Sequence, residues 1–468
     1  MRLLLLNLPY AERIVRRFKC SYNAPTFLLP PLELLSLGGI ASQKNYCQTR
    51  LIDAIAQNIS PEKLRTLISG YRPDLIVTLT GVESFSDDTA LLSDIKSLIP
   101  QSGIVIFGYL ATLFPEEILQ KSRVDYCLIN EPEETFSKLL DRLNSGGLLD
   151  IPGLAYRKDG RPILNQPRPR IEDLDRLPFP DRSLVNNRWY SEPMMGMPFT
   201  TVQSSRGCPY GCAYCVSTYG QKIVFRSAEN VLAELDEIKR KFSIRYVRFM
   251  DDTFTLNRER VDTLCRAMID RSLRMQWTCL SRPDTINHDM LRLMKNAGCR
   301  RIYLGIESGS QRLLDFFCRG YTVEGVKQAV AMIKKSGIEV TGFFMDGGPL
   351  ESKEDFQATV SLARSLPCDY FLIDMLRIYP GTKLFEMKRH AIDFNLFPYK
   401  NDFRDSSIED IYHFREREFY RNVYLRPAYL SRMLRLWLRY PAEALVNFMS
   451  LVRYLVSPVR RKKHDKYI

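Results

Sequence analysis

Two series of short apolar runs, each run followed by an amphipathic stretch, leave this chain few folds to choose from. In residues 1–145 the runs are LLLLNLP, TRLIDA, DLIVTLTG, GIVIFGY and VDYCLIN. Residues 31–44, 61–69, 88–98, 115–121 and 134–143 separate or follow them with helical spacing. Strands alternating with helices build a parallel sheet, because a parallel connection needs a crossover long enough to hold a helix. The expectation is an α/β chain whose first 145 residues form a doubly wound, Rossmann-like domain. Such sheets bind ligands beyond the carboxyl ends of their strands, near a switch in strand order. The candidate turns follow the third and fourth runs: Thr80 and Gly81, then Gly108, Tyr109 and Thr112. A glycine there lets a ligand approach the backbone closely.

Residues 146–199 read as a linker, with a hairpin turn at Lys158-Asp159-Gly160-Arg161. Pro167, Pro169, Pro178 and Pro180 then forbid a continuous helix. The rhythm resumes at Thr200 with TTVQSSRG, RYVRFMDD, MQWTCLSR, RIYLGIESG, EVTGFFMDGG and YFLIDMLRIYPG. Helical spacing recurs at 228–242, 258–271, 288–297, 323–336 and 352–365. Six such repeats over 200–385 predict a partial (β/α)6 barrel, and residues 386–468 a helical C-terminal segment with a basic tail. Barrel chemistry gathers at the carboxyl ends of strands. Asp251, Asp252, Arg282, Glu307, Ser308 and Asp346 fall there. Each has a plainer reading: an aspartate capping a helix, or Glu307 paired with Arg282.

The loop after the first barrel run, SSRGCPYGCAYCVSTYG, carries Cys208, Cys212 and Cys215 at the spacing C-x3-C-x2-C. Four-iron clusters ordinarily take four thiolates, so three leave one iron open for chemistry. Structural zinc asks for a closed shell of four ligands, usually built from C-x2-C pairs. The chain has four histidines in all, none near this triplet. An iron–sulfur cluster is the better reading.

At these cysteines the chain resembles the radical S-adenosylmethionine (SAM) superfamily. The resemblance implies a [4Fe-4S] cluster whose open iron is chelated by the amino and carboxylate groups of SAM. An electron from that cluster, supplied by a donor such as flavodoxin or ferredoxin, then cleaves SAM to a 5′-deoxyadenosyl radical. It also implies that Tyr214 borders the adenine. FMDDTFTLNRERV, with Asp251 and Asp252, resembles the motif near the SAM amino group. LGIESGS, with Glu307 and Ser308, resembles the motif that meets the ribose and methionine portions. GFFMDGGPLESKEDF and RIYPGTKL follow in the family's order.

Residues 1–145 resemble the cobalamin-binding domain that precedes many such barrels, through RPDLIVTLTG, IFGYLATLFPEEIL and VDYCLINEPEETF. The resemblance implies that Thr80, Gly81, Gly108, Tyr109 and Thr112 surround the nucleotide tail and corrin. Gly108-Tyr109 stands where the family usually has two glycines, and Asn130-Glu131-Pro132-Glu133 where it often has Gly-Glu-Gly-Glu. Residues 53–58, Asp-Ala-Ile-Ala-Gln-Asn, stand where other cobalamin proteins carry a cobalt-ligating histidine. The implied activity is cobalamin-dependent radical modification of an unactivated carbon, C-methylation before cyclisation or oxidation. A radical SAM enzyme without cobalamin and a non-catalytic electron carrier are the rivals. The three-cysteine spacing counts against the carrier, which needs no open iron.

Composition narrows the partners. The 468 residues carry a net charge of +13 and eleven cysteines, with no signal peptide and no apolar run of membrane-spanning length. A reducing cytoplasm is expected, with a small-molecule or lipid-like substrate and no nucleic acid, for which no motif is present. Near the end, Leu430, Met433, Leu434, Trp437 and Leu438 form a helical stripe expected to cap the barrel. A second apolar pattern runs from Leu445 to Leu455, and Arg460, Arg461, Lys462 and Lys463 form a basic end. A sharper reading of this tail is peripheral contact with an anionic membrane.

Overall fold

The computed structural model describes residues 1–18, 21–23, 27–143, 147–192, 198–216, 219–348, 350–388 and 406–439. Five strands, β1 (Arg2–Asn7), β2 (Gln48–Asp53), β3 (Leu75–Leu79), β4 (Gly103–Phe107) and β5 (Tyr126–Leu128), form a parallel sheet in the order 2-1-3-4-5. Successive side chains of a strand face opposite ways, and both faces are buried here. Leu3, Leu5, Val77, Val105 and Phe107 pack on one side, with the helix Leu32–Ser42. Leu4, Leu6, Ile76, Ile104 and Ile106 pack on the other, with the helices Pro61–Tyr71 and Phe85–Leu98. That is the reason the runs are apolar throughout rather than alternating. The order reverses between β1 and β3, which makes the turns after those strands the natural crevice. The hairpin read at residue 159 is β6 (Leu154–Lys158) and β7 (Arg161–Leu164), and it extends this same sheet antiparallel to β5.

The second sheet is all parallel and sequential: β8 (Thr200–Val202), β9 (Tyr246–Phe249), β10 (Gln276–Ser281), β11 (Cys299–Glu307), β12 (Glu339–Asp346) and β13 (Tyr370–Met375). Its outer positions are apolar and meet the helices. Trp277 is fully buried there between Phe249 and Phe254, and its indole N–H donates to Ala297 O at 2.9 Å. The helix Ala228–Phe242 starts at Ser227, whose hydroxyl accepts from Asn230 N, and the helix Lys353–Ser365 starts with a capping box at Ser352 and Asp355.

A barrel of six strands leaves β13 with an unpaired edge. Tyrosines from the C-terminal helices Ser406–Tyr424 and Pro427–Arg439 cover it. The Tyr424 hydroxyl accepts from Phe371 N at 2.9 Å and donates to Phe371 O at 2.8 Å. Tyr420 accepts from Ile373 N at 3.3 Å, and Tyr429 donates to Asp369 O at 2.8 Å. The expected stripe is therefore split. Met433 is buried, whereas Leu430, Leu434 and Leu438 are 52%, 57% and 76% exposed. The helix Pro427–Arg439 is anchored through the Tyr429 hydroxyl and buried Met433, and one row of its apolar residues faces outward. The Trp437 side chain, the second apolar pattern and the basic end lie outside the described residues.

Candidate active site

The cysteine loop is tied down at both ends. Gly207 has φ +96, and a side chain there would run into Lys222 O at 2.3 Å. Cys208 N donates to Gly220 O at 3.2 Å, Ala213 N to Phe317 O at 3.0 Å, and Leu384 N to Ala213 O at 3.0 Å. The loop thus rests on segments that follow β11 and β13. Among the described residues, no three His, Cys, Asp or Glu side chains gather as a single-ion site. Cys208 Sγ lies 4.0 Å from Thr253 Oγ1. Cys212 Sγ receives Arg319 Nη1 at 3.0 Å and Arg282 Nη1 at 3.6 Å, while Cys215 is exposed.

The strand-end residues divide in two. Asp251 is buried with its oxygens already engaged. Oδ1 accepts from Ser204 N at 2.7 Å and Ser205 N at 3.1 Å; Oδ2 accepts from their hydroxyls at 2.6 and 2.8 Å. Arg260 Nη2 stands 3.5 Å away. It braces the strand leading to Cys208 and is no helix cap, since Asn257 caps the helix Arg258–Asp270. Ser308 likewise spends its hydroxyl on Thr359 at 3.0 Å and Ser310 N at 3.1 Å. Asp252 is part-exposed beside it all.

Glu307 is different. It sits at a register shift where β11 ends, at φ +68, a strained position for a residue with a side chain. Burial pushes its carboxyl up, against the pull of Arg319 and a hydrogen bond with Tyr214. Its ion-pair partner is Arg319 at 3.2 Å, not Arg282, which pairs with Asp284 at 2.8 Å. Tyr214 packs edge-on against Phe317 at 5.4 Å. Glu307, Tyr214 and Cys212 thus meet around one guanidinium.

The ligand edge of the first sheet abuts this barrel mouth. Glu83, three residues past Thr80, accepts from Arg377 Nη1 and the Tyr379 hydroxyl, both at 2.8 Å. Tyr109 donates to Pro380 O, and a side chain at Gly381 would lie 3.0 Å from the Tyr109 hydroxyl. Gly108 takes φ +114, with Leu79 filling the space a side chain would need. Thr80 and Thr112 serve the fold: Thr80 donates to Asp88 at 2.8 Å, and Thr112 accepts from Asn130 N at 2.9 Å. Gly81 is buried at the same turn. Asp53 accepts from Asn7, from Ala56 N and from the Tyr190 hydroxyl at 2.8 Å, and residues 53–58 of this turn include no histidine.

The model of the radical SAM superfamily matches residues 202–363. An uncharacterized methyltransferase of Pyrococcus horikoshii is 32% identical over 440 residues, 92% of each chain. This chain belongs to the radical SAM superfamily. The anaerobic magnesium-protoporphyrin IX monomethyl ester cyclase of Cereibacter sphaeroides is 24% identical, over 78% of this chain and 61% of its own. The solved radical SAM methyltransferase TsrM of Kitasatospora setae superposes with a TM-score of 0.66 at 17% identity, covering 83% of this chain and 76% of that one, and so shares the fold. The cofactors of a radical SAM enzyme are SAM and a [4Fe-4S] cluster. The donor set fits that cluster: three thiols on one loop, with two guanidinium groups aimed at the sulfur of the middle one.

Three groups went unread in the sequence. Arg319, in FCRGYT, carries no spacing signal; only the fold brings it to Cys212. Glu131 and Glu133 hold Arg206, two residues before Cys208, at 2.9 and 2.5 Å. Their place in the family's acidic turn was the available hint. Within the barrel, Arg248 pairs with Glu192, and the Tyr303 hydroxyl joins them. Inward-facing Arg and Tyr in otherwise apolar strands were the signal there.

Proposed function

We propose that this radical SAM enzyme is a cobalamin-dependent C-methyltransferase acting on an unactivated carbon. Cys208, Cys212 and Cys215 hold the cluster, Tyr214 and Glu307 line the SAM side, and the turns at Gly81 and Gly108–Tyr109 cradle the corrin by backbone. The observation that carries this reading is the meeting of the two ligand edges: the Glu83 and Tyr109 turns touch residues 377–381, on the same mouth as the cysteine loop. When bound, the cluster and SAM supply the hydrogen-abstracting radical and cobalamin supplies the methyl group. The chain's own part is to exclude water and hold the carbon between its two halves. Relatives named for methyl transfer support it, among them the cytidylyl-2-hydroxyethylphosphonate methyltransferase of Streptomyces wedmorensis. The cyclase relative keeps oxidative ring closure as the second reading.

The finer partners belong to the same proposal. An electron donor such as flavodoxin or ferredoxin serves the cluster. The outward row Leu430, Leu434 and Leu438 lies in a segment, residues 425–441, with four arginines and no acidic residue. Such a face suits an anionic membrane surface and a lipid-like substrate. The deciding experiment is anaerobic reconstitution with SAM and hydroxocobalamin, assayed for 5′-deoxyadenosine and S-adenosylhomocysteine. Both products are expected, and neither from a variant with all three cysteines replaced by Ala. Deoxyadenosine without S-adenosylhomocysteine, and no cobalamin uptake, would reduce the reading to a radical SAM enzyme lacking cobalamin. A Co(II) resonance split by the nitrogen of a protein imidazole would refute the histidine-free site.

A further inference from the structure

We infer that Arg319 and Arg282 set the reduction potential of the cluster, acting through Cys212. The inference rests on the assignment of that cluster to the three cysteines. Both guanidinium groups are buried, with side-chain exposures of 7% and 5%. They arrive from different places, Arg282 directly after β10 and Arg319 beyond the short helix Gln311–Phe316, yet both aim an N–H at one sulfur.

Neither position is accidental. Arg319 is held by Glu307 at 3.2 Å and donates through Nε to the Tyr321 hydroxyl at 2.8 Å. Tyr321 in turn donates to Gly305 O at 2.7 Å. Arg282 lies over the Tyr210 ring at 3.5 Å, is fixed by Asp284, and donates to Arg319 O. Each arm is therefore preorganised, and its fixed geometry survives a change of charge on the sulfur.

Reduction adds one electron, hence one negative charge, to the cluster and its thiolates. Hydrogen bonds and positive charge at a ligand sulfur stabilise the more negative state, and burial strengthens the effect. The pair thus holds the potential less negative than the same cluster would have without it. Arg319, at 3.0 Å, has the larger share and Arg282, at 3.6 Å, the smaller. Both are positioning residues, because they act through Cys212.

The test is a potentiometric titration of the reconstituted full-length chain, followed by electron paramagnetic resonance without SAM, for wild type, Arg319→Met, Arg319→Lys and Arg282→Met. Iron and sulfide content are measured on the same samples. The expected result is a more negative midpoint in both Met variants, larger for Arg319→Met, with Arg319→Lys between it and wild type. Should Arg319→Met fail to hold a cluster, Arg282→Met leaves the Glu307 partner in place and carries the test. Unmoved midpoints at full iron content would overturn the inference. So would a loss of SAM affinity at an unmoved midpoint, which would assign the guanidinium groups to the SAM carboxylate. Failure of the cluster assignment itself reads differently: wild type would then hold fewer than four irons per chain.

Discussion

Replacing Asp251 separates two roles for one carboxylate, bracing the cysteine loop or binding SAM. In Asp251→Ala the backbone N–H groups of Ser204 and Ser205 and both hydroxyls lose their acceptor, and buried Arg260 loses its counter-charge. Removing one partner of a buried charge pair costs about 3–5 kcal/mol. Asp251→Asn should be milder, and the geometry says why. Oδ1 takes both backbone N–H groups, which an amide oxygen does equally well. Oδ2 takes both hydroxyls, which can turn and accept from an amide NH2 instead. The loss is at Arg260, which faces Oδ2 and would meet the amide NH2 with no counter-charge, worth about 1.5–3 kcal/mol for a hydrogen bond to a charged group. Urea unfolding followed by the fluorescence of fully buried Trp277 measures both, with iron content beside it. The expected order is wild type, then Asn, then an Ala variant that also loses iron, because its loop is no longer held. If the Ala variant lies within about 1 kcal/mol of wild type, the bracing role fails. If instead Asp251→Asn keeps its iron and stability but binds SAM at least tenfold more weakly, the carboxylate belongs to the SAM ammonium group.

Burial and the neighbouring Asp346 push the Glu351 carboxyl from its ordinary 4.5 up to about 8. The folded chain therefore keeps a proton that the unfolded chain loses near pH 4.5, so stability falls as pH rises from about 4.5 to about 8; Glu351→Gln should flatten that slope in melts across the range. Tyr424→Phe strips the partners from Phe371 N and O on the β13 edge, which should cost about 1–3 kcal/mol, read as a lower urea midpoint with cluster content unchanged. Leu434→Glu should abolish co-sedimentation with anionic vesicles and leave deoxyadenosine formation intact; equal recovery of both chains on anionic and neutral vesicles would remove the membrane surface from the proposal.

By itself the sequence determined whatever repeats or is spaced locally. Apolar runs of about five residues between helical stretches specified both parallel sheets, because strands buried on two faces need no alternation. The hairpin at Asp159-Gly160 was legible for the same reason, since its turn is written in adjacent residues. The three cysteines were legible because a ligand loop must present its thiolates from a few neighbouring positions. What the tertiary structure decided is everything that depends on residues distant in the chain. The partner of Glu307 proved to be Arg319 rather than Arg282, and Cys212 gained a neighbour 107 residues away. Asp251 and Ser308 hold the motif positions of ligand contacts, yet their polar atoms are already engaged by protein groups. The split of the C-terminal stripe was also beyond reach. Helical periodicity marks a face as apolar, but only the unpaired edge of β13 determined that Tyr424 and Tyr429 hydroxyls would anchor the C-terminal helices there, with Leu430, Leu434 and Leu438 left outside. A hydrogen-bonding demand made by one strand on another part of the chain leaves no period in the sequence, and so it appears only once the chain is folded.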